Sequence, residues 1–261
     1  MRRLLIRCGA MGIAATLSIA AFALDADTIK GLWRFEDGGG DTAADTSDNG
    51  NDGTLFGGPE WVTGYEGDGL QFAFATGNYM LAPVPYSNTA TILMWALYTD
   101  TPTANLGLVH AQATDGDLGG ADTKMIGMWL ENTNMLWGRI IDPAGARVNL
   151  PKNHTLAPDE WFHVAIVVDE AAGNVSQWVN GEMVGDGDYG GELGEYNFLK
   201  IGRQGTETWE GILDEVAFFD VALSEDDIMD IATDGFDAAL AVSAGGKAAT
   251  SWGAVKRGIT R

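Results

Sequence analysis

Three groups of residues combine types and spacings that could do chemistry. The first is a carboxylate, Asp214, inside the apolar run 211–219, GILDEVAFF. Read with a strand's period of two, Ile212, Asp214, Val216 and Phe218 share one face, so an acid interrupts an apolar row. Burying an ionised carboxylate without a partner is costly. Asp214 is therefore at the rim of a core, hydrogen-bonded by backbone donors, or held by a cation. The second group is the loop 45–53, where Asp45, Ser47, Asp48, Asn49, Asn51 and Asp52 surround Gly50. Side-chain oxygens packed this closely suit a hard ion such as calcium, and the same residues also bond their own backbone in plain turns. The loop begins like an EF-hand, but Phe56 stands where that loop needs its bidentate Glu, so an EF-hand is excluded. The third group sets aromatic rings beside charge: Trp129 in one segment, Trp137 and Arg139 in the next. Sugars ask for such surfaces, because their C–H faces pack on rings while their hydroxyls need polar partners. A three-residue turn at 132–134 would place Trp129 opposite Trp137, and a two-residue turn would not. Tyr189, Tyr196 and Trp209, near acidic loops, are further ligand-facing candidates, whereas Trp33, Trp61, Trp95, Trp161 and Trp178 read as core.

The elements that must position these groups are short strands. Gly, Asn and Asp punctuate segments rich in Val, Ile, Phe, Tyr, Trp and Met at 29–35, 53–56, 70–74, 91–98, 106–111, 124–131, 135–141 and 147–150. The series continues at 161–169, 175–179, 182–184, 198–202 and 207–219. Asn180-Gly181 between two of these runs is a two-residue hairpin signal. One helix is expected over 224–233, with Ser224 as its cap and Asp227 three residues on. Many short strands with turn residues between them indicate an all-β antiparallel sandwich with one short C-terminal helix.

Composition narrows the setting. Arg2, Arg3 and Arg7 precede an apolar run that ends near Ala21-Phe22-Ala23, the pattern of an export signal over residues 1–23. The expected organisation is that signal, one domain over 24–236, and a flexible basic tail over 237–261. Cys8 is the one cysteine, so a mature chain holds no disulfide and must rest on its core or on metal. The formal net charge of −22 makes nucleic acid and anionic membranes poor partners. The tail alone leans basic, with Lys247, Lys256, Arg257 and Arg261 against Asp237.

Four blocks in order carry a family resemblance: Gly31-Leu32-Trp33-Arg34-Phe35-Glu36-Asp37-Gly38 with the Asx-rich loop after it, Gly67-Asp68-Gly69-Leu70-Gln71-Phe72, Trp161-Phe162-His163-Val164-Ala165 to Trp178-Val179-Asn180-Gly181, and the stretch 211–228. The chain resembles the laminin-G-like jelly-roll modules of the concanavalin A-like lectin/glucanase superfamily, in the variety common in bacterial secreted proteins. The resemblance implies two antiparallel sheets packed face to face with jelly-roll connections. It also implies a structural calcium joining the first strand to a late one, which here would use the backbone at Phe35 and Asp37 together with Asp214. The loop residues Asp45, Asp48 and Asn51 are a second calcium-contact candidate. Glucan-cutting members carry a Glu-x-Asp-x-Glu strand that sets acids on one face, and no such triplet occurs here. His163 reads as a hydrogen-bonded core residue, and His110 and His154 have no catalytic neighbours in sequence. The expectation is an exported, non-catalytic module that binds a glycan or an extracellular protein ligand at the cell surface, in the periplasm or outside the cell. The alternatives are a glycoside hydrolase or polysaccharide lyase of the same superfamily, and a structural adhesion or matrix module without a small ligand.

Overall fold

The computed structural model describes residues 24–74, 77–115 and 126–240. The expected signal segment 1–23, the start of the expected strand 124–131 and the chain beyond 240 lie outside the described residues. Period-two alternation of apolar residues builds two large antiparallel sheets. One runs in the order Glu182–Asp188, Asn174–Val179, Phe162–Asp169, Ala90–Leu97, Gly211–Phe219, Asp68–Phe72 and Glu60–Thr63, with Ile29–Trp33 also paired to Gly211–Phe219. The other runs Arg147–Asn149, Leu136–Ile141, Ile126–Leu130, Leu106–Gln112, Phe198–Ile201, Tyr79–Pro83, Gly53–Phe56 and Thr42–Ala43. The main core lies between the sheets, where Trp33, Ile92, Met94, Met128, Ile166, Leu199, Val216 and Phe218 pack together. The expected sandwich is thus the observed one, and its Asn180-Gly181 hairpin has both residues at positive φ, 51° and 84°.

The first sheet carries a second apolar layer on its outer side. Leu32, Leu93, Val167, Trp178, Ala217 and Phe219 meet Leu223, just before the helix, and Ile228, Ile231, Phe236 and Ala239 of the helix. Ser224 opens that helix as a cap: its Oγ accepts from Asp227 N at 3.2 Å, and Asp227 Oδ2 accepts from Ser224 N at 3.1 Å. Helical residues run over 225–240, kinked at Gly235 with φ 78°, so the helix is longer than the sequence suggests. Asp237 pairs with Arg34 at 2.7 Å and Ala239 is buried. A domain boundary at 236 therefore falls inside the helix, because apolar residues beyond the glycine still find the sheet.

Candidate functional site

Asp214 does not belong to the apolar row that its spacing suggests. The pairing of Gly211–Phe219 with Ala90–Leu97 slips between Asp214 and Ala217, and Glu215 sits at φ 48°. This is a β-bulge, and its extra residue turns the alternation over. Leu213 faces the main core before it, Val216 and Phe218 after it, so Asp214 lies opposite Trp95 on the outer side. Asp214 is fully buried there. Its Oδ2 accepts from Tyr65 N at 2.8 Å and Glu66 N at 3.0 Å, and its Oδ1 accepts from Glu215 N at 2.8 Å. A Cβ at Gly64 would run into Oδ2, so the turn before Tyr65 can close on the carboxylate only with glycine there. Burial pushes the Asp214 carboxyl up to about 7 against these three bonds. Burial likewise raises Glu215 to about 8, with the Arg34 guanidinium opposing and Asp214 adding to the rise; Glu215 Oε2 has no hydrogen-bond partner.

Around the positions that the resemblance assigns to calcium, the carboxylate oxygens already accept backbone hydrogen bonds. Three backbone donors engage Asp214, two at Oδ2 and one at Oδ1. The Asp37 carboxylate accepts from Ala44 N at 3.1 Å, and the Phe35 side chain is buried against Trp61. In the Asx-rich loop, Asp45 accepts from Leu32 N, Ser47 N and Asn51 N, each at 2.9 Å. Asn51 Nδ2 donates to Lys30 O and Asn49 Nδ2 to Ile29 O, while Asp48 is exposed in a left-handed turn. The loop oxygens and amides thus staple the loop to the first strand. Among the described residues, no three His, Cys, Asp or Glu side chains converge as a metal's ligands would.

The aromatic candidates divide. Tyr196 is fully buried, donates to Ser87 O at 2.8 Å and meets Phe218 edge-on. Trp209 is fully buried between Tyr98 and Phe162, and Tyr189 is 5% exposed. None of the three presents a ring to a ligand: they fill space within the main core, where large apolar area is best placed. His163 is also buried, edge-on to Trp95 at 5.4 Å, and burial pushes it down to about 3. Its backbone N–H donates to Asn180 Oδ1, but neither ring nitrogen has a hydrogen-bond partner, unlike the bonded histidine expected from sequence.

Trp129, Trp137 and Arg139 do come together. The turn between their strands has three residues, closed by Glu131 N to Met135 O and with Asn134 at φ 62°, so Trp137 pairs directly with Trp129. Leu136 and Ile140 point into the main core, which leaves Trp137 and Arg139 on the outer face of the second sheet. The two indoles stack with centroids 4.7 Å apart. The Arg139 guanidinium carbon lies 4.4 Å from the Trp137 centroid and 5.5 Å from that of Trp129, and Lys152 Nζ lies 4.0 Å from the Trp137 centroid. Arg139 Nε donates to Asn149 Oδ1 at 2.7 Å, and Lys152 pairs with Glu131. Sequence reasoning missed the opposite wall, a small hairpin of Arg203–Gln204 and Glu207–Thr208. Trp129 Nε1 donates to Gln204 Oε1 at 2.8 Å, and Gly107 lets the hairpin press close, since a Cβ there would strike Gln204 N and Glu207 O. Trp129, Trp137, Arg139 and residues 204–207 enclose an open cleft of about 280 Å³. The raised carboxyls of Asp214 and Glu215 do not line it.

The laminin G family model described as the concanavalin A-like lectin/glucanases superfamily matches residues 68–229. No curated protein sequence matches the chain. Among solved structures, the binding domain of Paraclostridial Mosquitocidal Protein 1 aligns with TM-score 0.61 at 15% identity, over 80% of this chain and 52% of its own. The botulinum neurotoxin serotype D ligand binding domain, in complex with N-acetylneuraminic acid, gives 0.63 at 13%, over 80% and 51%. Domain 4 of AbnA, a GH43 extracellular arabinanase from Geobacillus stearothermophilus, in complex with arabinotriose, gives 0.59 at 16%, over 79% and 98%. The chain thus spans about half the length of the toxin domains and nearly all of the arabinanase domain. At these identities the likeness is one of fold.

Proposed function

Because the chain belongs to the concanavalin A-like lectin/glucanases superfamily, we propose that it is a non-catalytic module that binds a saccharide in the cleft of Trp129, Trp137 and Arg139. The observation that carries this reading is the cleft itself: the half-buried Trp137 indole, backed by the buried Trp129, meets a guanidinium and a polar hairpin wall at one open concavity. Two structures of like fold hold saccharides, arabinotriose in one and N-acetylneuraminic acid in the other, which supports a sugar over a protein ligand. The extracellular setting of the arabinanase domain agrees with the export signal read in residues 1–23. Calcium has no part in this reading.

A glycan array probed with the full chain tests it. Wild type is expected to mark a restricted set of glycans, and Trp137→Ala to lose that signal by about tenfold or more while its melting temperature stays close to wild type. Trp137 is only half-buried and outside the main core, so its loss leaves the sandwich intact. An array blank for wild type, or one unchanged by Trp137→Ala, contradicts the reading.

A further inference from the structure

Three adjacent strands of the second sheet, Gly53–Phe56, Tyr79–Pro83 and Phe198–Ile201, carry another group of rings on its outer face. Leu55, Met80, Ala82 and Leu199 point into the main core. Their strand neighbours Thr54, Phe56, Tyr79, Leu81, Pro83 and Phe198 therefore point the other way. Met128, Leu130, Leu136 and Ile140 fix that same outward side for Trp129 and Trp137, so both aromatic groups belong to one face. Cross-strand pairing gathers the new group: Phe56 lies opposite Tyr79, Thr54 opposite Leu81, and Phe198 opposite Pro83. Phe56, Leu81, Pro83 and Phe198 line an open cleft of about 450 Å³, larger than the cleft at Trp137. Asp52, Thr54 and Asp115 complete its wall.

The Phe56 ring is held as a sugar platform needs to be. It stacks on Tyr79 with centroids 4.8 Å apart and planes at 17°, and it stays 39% exposed while Tyr79 is buried. One side of the ring is thus backed and the other is left to the cleft. Asn78, itself buried, donates from Nδ2 to Gly57 O at 3.0 Å, which braces the strand end that carries Phe56. A sugar lays its C–H groups on such a ring while its hydroxyls seek polar partners. Asp52, Asp115 and the Thr54 hydroxyl supply them, all three exposed. Asp52 Oδ1 also accepts from Asp45 N at 2.9 Å, so that carboxylate is fixed at the rim. An anionic sugar would meet two carboxylates and a net charge of −22, so the cleft suits an uncharged one.

We infer that the cleft at Phe56 is a second sugar subsite, and that one uncharged saccharide chain occupies it together with the cleft at Trp137, a step that rests on the saccharide reading above. The strands of Trp137 and Phe56 are five strand spacings apart in the sheet, about 24 Å. A single sugar cannot bridge that span, whereas a chain of several can. Contacts joined through one ligand reinforce each other, because the second forms at a high effective concentration.

Affinity electrophoresis of the full chain through gels carrying arabinan, xylan, mixed-linkage glucan or galactomannan identifies a retarding polymer. Calorimetric titration with its trisaccharide and its octasaccharide then tests the joint occupancy. The octasaccharide is expected to bind about tenfold or more tightly than the trisaccharide. Phe56→Ala and Trp137→Ala are each expected to remove that advantage, and the two together to leave no measurable binding. Met183→Ala, an exposed position on the first sheet, leaves binding unchanged. Phe56 lies outside the main core, and melting curves confirm that the variants fold. Equal affinity for the two oligomers, or octasaccharide binding indifferent to Phe56→Ala, overturns the second subsite and leaves the reading at Trp137 standing. Octasaccharide binding that needs Phe56 but not Trp137 overturns the joint occupancy. No retardation in any gel together with a blank glycan array overturns the saccharide reading itself, and this subsite with it.

Discussion

Asp214→Ala is expected to destabilise the domain by about 3–5 kcal/mol, a fall in melting temperature on the order of 10 °C for a domain of this size. The carboxylate gathers the backbone N–H groups of Tyr65, Glu66 and Glu215, all at hydrogen-bond distance in a buried setting. Truncation orphans three donors at once, and water cannot replace the oxygens without opening the turn at 64–67, which packs on the strand Gly211–Phe219. Asp214→Asn keeps one acceptor but sets an amide NH2 against a backbone donor, so its loss is expected to be intermediate. Thermal unfolding of the three proteins measures this series. A chelator distinguishes the account from a metal-based one: wild-type melting is expected to be unmoved, because the partners of Asp214 are peptide groups. A large fall with chelator, or an Asp214→Ala variant as stable as wild type, contradicts it.

Stability is expected to fall as pH rises from about 4 to about 8, and Glu215→Gln to flatten that fall. Burial lifts Asp214 from 3.8 to about 7 and Glu215 from 4.5 to about 8. Both groups bind protons more tightly in the folded chain, so folding takes up protons between the unfolded and folded values. The stability they contribute is complete below about pH 4 and lost as pH climbs through the folded values, by an amount of order a few kcal/mol. Glutamine holds the shape of the protonated acid. Melting of Glu215→Gln should therefore match wild type near pH 4 and exceed it near pH 8. Self-repulsion of the −22 net charge acts on both proteins nearly alike, so the difference between the two curves isolates Glu215. Parallel curves would show that the Glu215 carboxyl titrates normally.

The contrast between these two residues and their neighbours shows what a sequence can and cannot carry. The sandwich, the Asn180-Gly181 hairpin and the Ser224 cap were legible because each depends on local pattern: alternation, a turn dipeptide, a capping pair three residues apart. The side of Asp214 was not legible. One extra residue in a strand reverses every side chain after it, and here the bulge is held by a non-glycine residue at φ 48° that no composition signal marks. The helix was underestimated for a similar reason: Asp234-Gly235 looks like a stop, and Gly235 does take a positive φ, yet Phe236 and Ala239 still pack on the sheet. At the cleft, the turn length fixes the register of Trp129 and Trp137, so that half was readable. The wall at 204–207 was not, since it reaches Trp129 from 75 residues away in the chain. Tyr189, Tyr196 and Trp209 failed for the opposite reason, because neighbouring acids suggested a rim where the fold supplies a core.

The most direct test of a saccharide site at Trp137 is hydrogen–deuterium exchange of the full chain, with and without the glycan that binds best. Protection is expected over 126–141 and 203–208, which form the two walls of the cleft, with exchange unchanged at 64–67 and 211–219 on the other sheet. Protection confined instead to the acidic loops at 45–53 or 186–192, with the cleft walls unaffected, would contradict the account.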